Sequence, residues 1–406
     1  MIRPAELLLG GSIAFVAYSY GGYPLLLWLL SRVRRREVRT LDIEPPVSLI
    51  IAAHNEERRI REKVENALIQ DYPRERLEII VASDCSTDRT EEIVLEYRDR
   101  GVKLVRTPER KGKEAAQGCA LEVSTGEILA FSDAATTLPA VAIRKIVRNF
   151  GDRSVGCVSS VDRIISEEGV AVGEGAYVRY EMLLRSLESR TGTLVGLSGS
   201  FFAARREVCY PWRSDLQSDF NTVINAVRQG MRAVSDTESI GYYRSIADPA
   251  HEYDRKVRTV LRGITVLMGN LSLLNPLRYG SFAWRLASHK LFRWLVPYAL
   301  LLALAANVTL AMTSWTYMAL LSLQSAFYLC AACGASGLAA FRGRVFSIPA
   351  FAVQVNVSIL HAWYSFARGR RIVEWSPSTR RATGLSTGSI RSEDPVPDRD
   401  SAVRRG

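Results

Sequence analysis

The chain has 406 residues, 48% of them hydrophobic and 23% charged, with a formal net charge of +11; it is long enough for one catalytic domain of ordinary size with further elements beside it. The positive charge does not mark a nucleic-acid binder. Much of the excess is arginine beside uncharged apolar stretches (Arg32, Arg34, Arg35, Arg36 and Arg39, then Arg342 and Arg344, then Arg368, Arg370 and Arg371), the pattern of positive-inside topology and anionic-lipid contact. Six scattered cysteines in a chain of this size are not a disulfide framework. The CxxC of Cys330 and Cys333 lies in an apolar segment with no second pair and no nearby histidine, and reads as small residues packing between helices.

In chain order, the first element is the uncharged stretch Leu7 to Leu30, long enough to cross a bilayer. Its length, the sparse positive charge before it and the lack of a small-residue cleavage pattern after it read as an anchor rather than a signal peptide. The arginines that follow place residue 32 onward on the cytoplasmic side. VSLIIAA (Val47 to Ala53) is then expected as a buried strand, and Glu56 to Gln70 as a helix. LEIIVAS (Leu77 to Ser83) is a second strand, Asp88 to Arg100 a helix with Asp88 or Thr90 as cap, and VKLVR a third strand. A helix over Lys113 to Glu122 and a strand over Glu127 to Asp133 complete the alternation. This order predicts an α/β domain with a mostly parallel sheet covered on both faces.

Ligands of such sheets bind outside the carboxyl ends of the strands. His54, Asn55 and Glu56 follow the first strand, Asp84 follows the second, and Asp133 ends the fourth, so the chemistry-bearing residues collect at one edge. No GxGxxG and no Walker lysine loop is present, which disfavours a dinucleotide cofactor and P-loop ATP chemistry. Lys111 and Lys113 bracket a glycine just before a helix, a loop suited to a diphosphate. The histidines His54, His251, His289 and His361 are far apart and have no ligand-spaced partners, so none is read as a metal ligand.

Toward the end, Trp294 to Met312 and Tyr317 to Ala340 are two further candidate spans. Ser347 to Phe366 carries Gln354, Asn356, Ser358 and His361, which are costly facing lipid; it is expected either to span with that side against other helices or to be re-entrant or interfacial. The tail beyond Thr383 has a disordered composition.

Taken in order, SLIIAAHNEE, YPRERLEIIVASDCSTDRT, KGKEAAQGCAL, GEILAFSDAAT, GSGSFFAARRE with DLQSDF and VRQGMRAV, and DRKVRTVLRG resemble the family 2 glycosyltransferases of GT-A fold. The resemblance runs from about Pro46 to Arg262 and points to the membrane-bound branch of polysaccharide-, cellulose- and hyaluronan-synthase-like enzymes. It implies an inverting transferase that moves a sugar from a UDP- or GDP-sugar to a lipid-linked or glycan acceptor, in cell-surface polysaccharide or glycolipid synthesis. Its partners would then be the nucleotide-sugar, that acceptor and membrane lipids. Ala53, His54 and Glu56 would sit at the nucleotide, Asp84 on the base, Lys113 near the donor, and Asp133 on the ribose or the metal shell. Asp219 would be the catalytic base, with Arg255 and Arg258 closing over the diphosphate.

The implied organisation is a transmembrane helix over residues 1–31, a basic cytoplasmic linker over 32–45 and the GT-A catalytic domain over 46–262. An interfacial connection over 263–293, two or three transmembrane helices over 294–366 and a basic tail over 367–406 follow, giving a multi-pass inner-membrane protein. Three departures bear on function. The DXD position reads Asp133-Ala134-Ala135, leaving one carboxylate for a Mg²⁺ or Mn²⁺ ion; Mg²⁺ commonly binds through one carboxylate plus substrate phosphates, and the lysine and arginines could instead share the ion's role. Ser83 replaces the first aspartate of the nucleotide motif. RKVRT lacks the glutamine and tryptophan of QxxRW, which favours transfer of one or a few sugars over processive synthesis. These departures also keep open a non-catalytic family member acting as a scaffold or nucleotide sensor. Trp375, just after the last apolar segment, resembles a motif of membrane relatives and reads equally as an interfacial anchor.

Overall fold

The computed structural model describes residues 3–165, 172–244, 249–341 and 343–372; Trp375 and the expected tail beyond 372 lie outside the described residues. The strands are β1 (Val47–Ala53), β2 (Leu77–Ser83), β3 (Val102–Arg106), β4 (Ile128–Asp133), β5 (Thr136–Thr137), β6 (Val155–Ile165), β7 (Phe201–Arg205) and β8 (Arg232–Arg244). They form one sheet in the order β3-β2-β1-β4-β7-β6-β8-β5. The first four lie parallel, as the alternation predicts, and β7 runs antiparallel to both β4 and β6. All seven residues of β1 are buried because both faces are covered. Ile50 enters the core shared with Ala116, Ala120 and Phe220, while Leu49 and Ile51 enter the one shared with Ile60, Val64 and Ile93, the period-2 signature of a strand between two helical layers.

The helices are α1 (Pro4–Val33), α2 (Ile60–Leu68), α3 (Thr90–Leu95), α4 (Lys113–Val123), α5 (Ala142–Val147), α6 (Val172–Thr191), α7 (Ser218–Arg228), α8 (Pro249–Met268), α9 (Ser281–Leu310), α10 (Trp315–Ala335) and α11 (Arg344–Ala367). Helix α2 starts later than its apolar stripe suggests. The Glu56 and Glu57 N–H groups donate to Thr90 Oγ1 (2.8 Å) and Asp88 Oδ2 (3.1 Å), which holds residues 55–59 in a turn. Asp88 also accepts from the Thr90 N–H at 3.0 Å, but the N-cap position is Arg89, so Asp88 braces the helix start from one residue before the cap. Helix α3 is shorter than expected because its end tightens into a 3-10 turn, Arg98–Arg100, closed by Gly101 at φ 81°.

Helices α1, α9, α10 and α11 are long and apolar enough to cross a membrane. Helix α9 begins well before the apolar run at Trp294, since its polar first turns find partners on the α/β domain. Arg285 donates to the Thr191 carbonyl at 2.8 Å, and His289 contacts Glu188 (2.7 Å) and Glu181 (3.0 Å). Tyr23 of α1, fully buried, donates to the same Glu188 oxygen at 2.5 Å. The linker expected over 32–45 is taken up by α1 at 32–33, and the rest of it is strapped onto the domain. The Arg36 and Leu41 N–H groups donate to the Arg190 and Arg148 carbonyls (2.8 and 3.0 Å), and Arg232 donates to the Arg36 carbonyl at 2.8 Å.

Candidate active site

The register of the parallel strands sets the site. Ala53 lies opposite Ser83, Ala52 opposite Asp133, and Ser83 opposite Arg106, so the segments leaving β1, β2 and β4 emerge at one edge. Two of the turns there are left-handed at non-glycine residues, Asn55 (φ 52°) and Cys85 (φ 51°), a costly conformation that surrounding bonds must hold. Asn55 Oδ1 accepts from the Thr87 N–H at 2.8 Å, and its own N–H donates to Ser86 Oγ at 3.2 Å.

His54 and Ala53 brace this edge. His54 Nδ1 donates to the Asp84 carbonyl at 2.7 Å, so a proton sits on Nδ1. The Ala53 carbonyl accepts from the Asp84 N–H at 2.9 Å. Buried Glu56 pairs with Arg59 at 3.1 Å. The buried carboxylate of Asp84 accepts from the Lys111 N–H (2.9 Å) and the Gly112 N–H (2.8 Å). Asp84 therefore holds the lysine-bracketed loop in place, a role its spacing did not disclose, and only its remaining lone pairs are available to a base. Gly112, at φ 91°, supplies the conformation that turns the loop into α4.

Lys113 opens α4 and reaches across the edge. Its Nζ pairs with Asp133 Oδ1 at 2.5 Å and donates to the Gly199 carbonyl at 2.9 Å. Burial works to lower its pKa, but Asp133 and then Glu114 outweigh it and hold the ammonium above the ordinary lysine value. Asp219, in the first turn of α7, lies on the far side of Gly199: a Cβ on Gly199 would sit 2.9 Å from Asp219 Oδ2. Asp219 Oδ2 accepts from Gln217 at 3.3 Å, while Oδ1 is buried and makes no hydrogen bond among the described residues. Burial pushes this carboxyl above the ordinary aspartate value, against the pull of Lys113, Arg262 and Lys290. Lys113, Asp133 and Asp219 are thus brought together.

Helix α8 carries Arg255, Arg258 and Arg262 at i, i+3 and i+7, one helical face. Arg262 locks it to the start of α4 through buried Glu114 at 2.5 Å. Arg258 is half-buried, and burial followed by Arg262 and Arg255 lowers its pKa. Arg255 lines a cavity of about 290 Å³ together with Asp162 and Lys290. Asp162 Oδ1 accepts from Ser198 Oγ (2.5 Å) and from Ser200 Oγ, so it fixes both neighbours of Gly199. Asp162, Lys290 and the Glu114–Arg262 pair escaped the sequence reading. Lys290 had a signal, a cation at the edge of an apolar run; Asp162 sits in a strand without a motif.

For a divalent metal the donor set is one carboxylate. Among the described residues no three of His, Cys, Asp and Glu cluster to hold an ion. Asp133 Oδ1 is taken by Lys113, and Oδ2 makes no hydrogen bond there. A single open oxygen fits an ion whose other ligands are substrate phosphates and water.

Against known proteins, the family model "Glycosyl transferase family 2" matches residues 48–210. The chain is 31% identical over 170 residues to the beta-monoglucosyldiacylglycerol synthase of Synechocystis sp., covering 40% of this chain and 35% of that one. It is 39% identical over 87 residues to the Escherichia coli UDP-Glc:alpha-D-GlcNAc-diphosphoundecaprenol beta-1,3-glucosyltransferase WfaP, covering 21% and 34%. It thus spans about a third of the length of these curated relatives. Among solved structures, the mannosyltransferase PcManGT from Pyrobaculum calidifontis, in complex with GDP-Man and Mn²⁺, superposes with a TM-score of 0.68 at 25% identity, over 87% of this chain and 99% of that one. The domain has the GT-A fold.

Proposed function

We propose, for a chain that belongs to glycosyl transferase family 2 through residues 48–210, that it is a membrane-anchored inverting hexosyltransferase using a nucleotide-sugar and a lipid-linked or glycan acceptor. The observation that carries this reading is Asp219, which lies across Gly199 from the Lys113–Asp133 pair and whose Oδ1 makes no hydrogen bond among the described residues. In the reaction, Asp219 Oδ1 takes the proton of an acceptor hydroxyl as that oxygen bonds to the anomeric carbon. The bond from that carbon to the donor's diphosphate oxygen breaks with its electron pair. Lys113 and Arg258, with Arg255 beside them on α8, stabilise the charge developing on the leaving nucleoside diphosphate. A Mg²⁺ or Mn²⁺ ion on Asp133 Oδ2 would add charge neutralisation at the same phosphates. The Lys111–Gly112 loop and Glu56 border the nucleotide, and the base would draw on the lone pairs Asp84 keeps free.

Arginines after α1 support a cytoplasmic position for this domain in a multi-pass inner-membrane protein. Helix α11 is the exception to spanning. Phe351 packs under Lys256 at 4.4 Å and His361 contacts Tyr253 at 3.2 Å. Positions about 15 Å apart along one helix both touching α8 support an interfacial course along the domain. The missing QxxRW tryptophan supports transfer of one or a few sugars.

The test is release of nucleoside diphosphate from a panel of UDP- and GDP-sugars by the purified full chain, with and without Mn²⁺ or Mg²⁺. Release by wild type and its loss in Asp219→Asn, with donor binding kept, is the expected result. Equal turnover in the variant would overturn the base assignment, and wild type that binds no nucleotide-sugar would support the scaffold reading.

A further inference from the structure

Strand β6 runs past the point where β7 begins. The antiparallel pairing of the two ends at Ser159 and Phe202, and β6 continues beside β8 to Ile165. Residues 197–200, which lead into β7, therefore lie outside that ladder and are held by β6 side chains instead. Ser159 Oγ accepts from the Ser198 N–H at 2.8 Å, and Ser160 Oγ donates to the Phe201 carbonyl at 2.7 Å. Asp162, farther along β6, takes both serine hydroxyls on one carboxylate oxygen, Ser198 Oγ at 2.5 Å and Ser200 Oγ beside it. Hydrogen bonds to an ionised acceptor are the strong ones.

Three residues of this segment touch the proposed machinery. The Leu197 N–H donates to the Asp219 carbonyl at 3.1 Å, and the Asp133 N–H donates to the Ser200 carbonyl at 3.0 Å. Between them, Gly199 accepts from Lys113 and lies against Asp219 Oδ2. Lys113 has a second anchor in Asp133, and the bond from Asp133 to Ser200 prolongs the β4–β7 ladder. Gly199 has no side chain to anchor it and takes its place from its two neighbours, both held by Asp162.

We infer that Asp162 is a positioning residue for the transfer reaction. Through Ser198 and Ser200 it sets Gly199 against Asp219, and so fixes the line along which the Asp219 carboxylate meets the acceptor hydroxyl. This rests on the transferase reading and adds to it a residue that belongs to no motif. A carboxylate suits the task because one of its oxygens can accept from two hydroxyls at once.

The experiment is release of nucleoside diphosphate by the purified full chain, from whichever UDP- or GDP-sugar wild type turns over. Binding of free UDP or GDP is titrated in parallel. Asp162→Ala is expected to lower kcat by about 10- to 100-fold, the scale of a small misplacement, with nucleotide affinity nearly unchanged. Asp162→Asn, whose amide oxygen still accepts from both hydroxyls, should restore most of that rate. Combined with Gly199→Ala, Asp162→Ala should add little further loss, since both act through one carboxylate; a residue that only supports the fold would give losses that multiply. Should Asp162→Ala not fold, Ser198→Ala together with Ser200→Ala removes the same two bonds and carries the same expectation.

Wild-type kcat in Asp162→Ala or in the paired serine variant overturns the inference. So do equal losses of kcat and nucleotide affinity, an Asn variant no better than Ala, or multiplying losses in the double variant. In each of those cases turnover by wild type leaves the transferase reading standing. No release by wild type would instead remove that reading, and the positioning role with it.

Discussion

Gly199 and Asp219 approach so closely that a Cβ on the glycine would meet the carboxylate at 2.9 Å, while the glycine's carbonyl accepts from Lys113. One backbone unit thus separates the group proposed to take the proton from the group proposed to steady the leaving diphosphate.

Gly199→Ala displaces the end of a side chain rather than backbone. The fold should survive, with little change in Tm. The Asp219 carboxylate should move off its line of attack, lowering kcat by about 10- to 100-fold with the donor KM nearly unchanged, as small misplacements do. Steady-state kinetics beside a melting curve check this; a large loss of Tm with normal kcat would contradict it.

As the proposed base, Asp219 with its raised pKa should set the acid side of the pH–rate profile. The base must be ionised, so activity should climb through a pH higher than the ordinary aspartate value of 3.8. The effect on folding has the opposite sign: between 3.8 and its raised value the folded state binds the extra proton, so this group's contribution to stability falls as pH rises. Asp219→Asn should lose about 10²- to 10⁴-fold in kcat and shed that limb, as rate measurements from pH 4 to 8 would show.

Asp84→Ala removes the acceptor for two N–H groups of the Lys111–Gly112 loop. Leaving a buried donor unsatisfied costs about 1–3 kcal/mol, so a lower denaturation midpoint and a raised donor KM are expected together. A variant with wild-type stability but poor donor binding would show that Asp84 acts on the base alone.

Lys63 is buried behind Asp133, donating to Ser132 Oγ (2.7 Å) and the Thr136 carbonyl (2.6 Å), and burial lowers its pKa from 10.5 to about 7. Between those values the unfolded chain binds a proton that the folded chain does not, so stability should rise with pH from 7 toward 10.5, by at most about 1.4 kcal/mol per unit. Lys63→Met should flatten that slope, measured by denaturant unfolding at pH 7 and 9.

The sheet half through β4 was legible because its strands are continuous apolar runs and its helices carry clean stripes; Ala53, Ser83 and Asp133 then fall at one edge by register alone. What the chain did not disclose depends on which distant side chains meet. Asp84's commitment to the loop, Asp162's hold on Ser198 and Ser200, and Arg262 on Glu114 join residues 27 to 148 positions apart, beyond any local period. The helix starts failed for a nearer reason, since side chains of the 86–90 turn claim the N–H groups of residues 55–57.

The shared Glu188 oxygen, reached by Tyr23 from α1 and by His289 from α9, joins two membrane-type helices to the catalytic domain at a single buried point. With residues 34–46 also bound down, little slack separates anchor from enzyme. On the proposed function, the cleft would stand at a set height above the bilayer and work as a gauge: hydroxyls carried at that level would be glycosylated, and those held nearer the lipid or farther into solvent would be passed over whatever their chemistry.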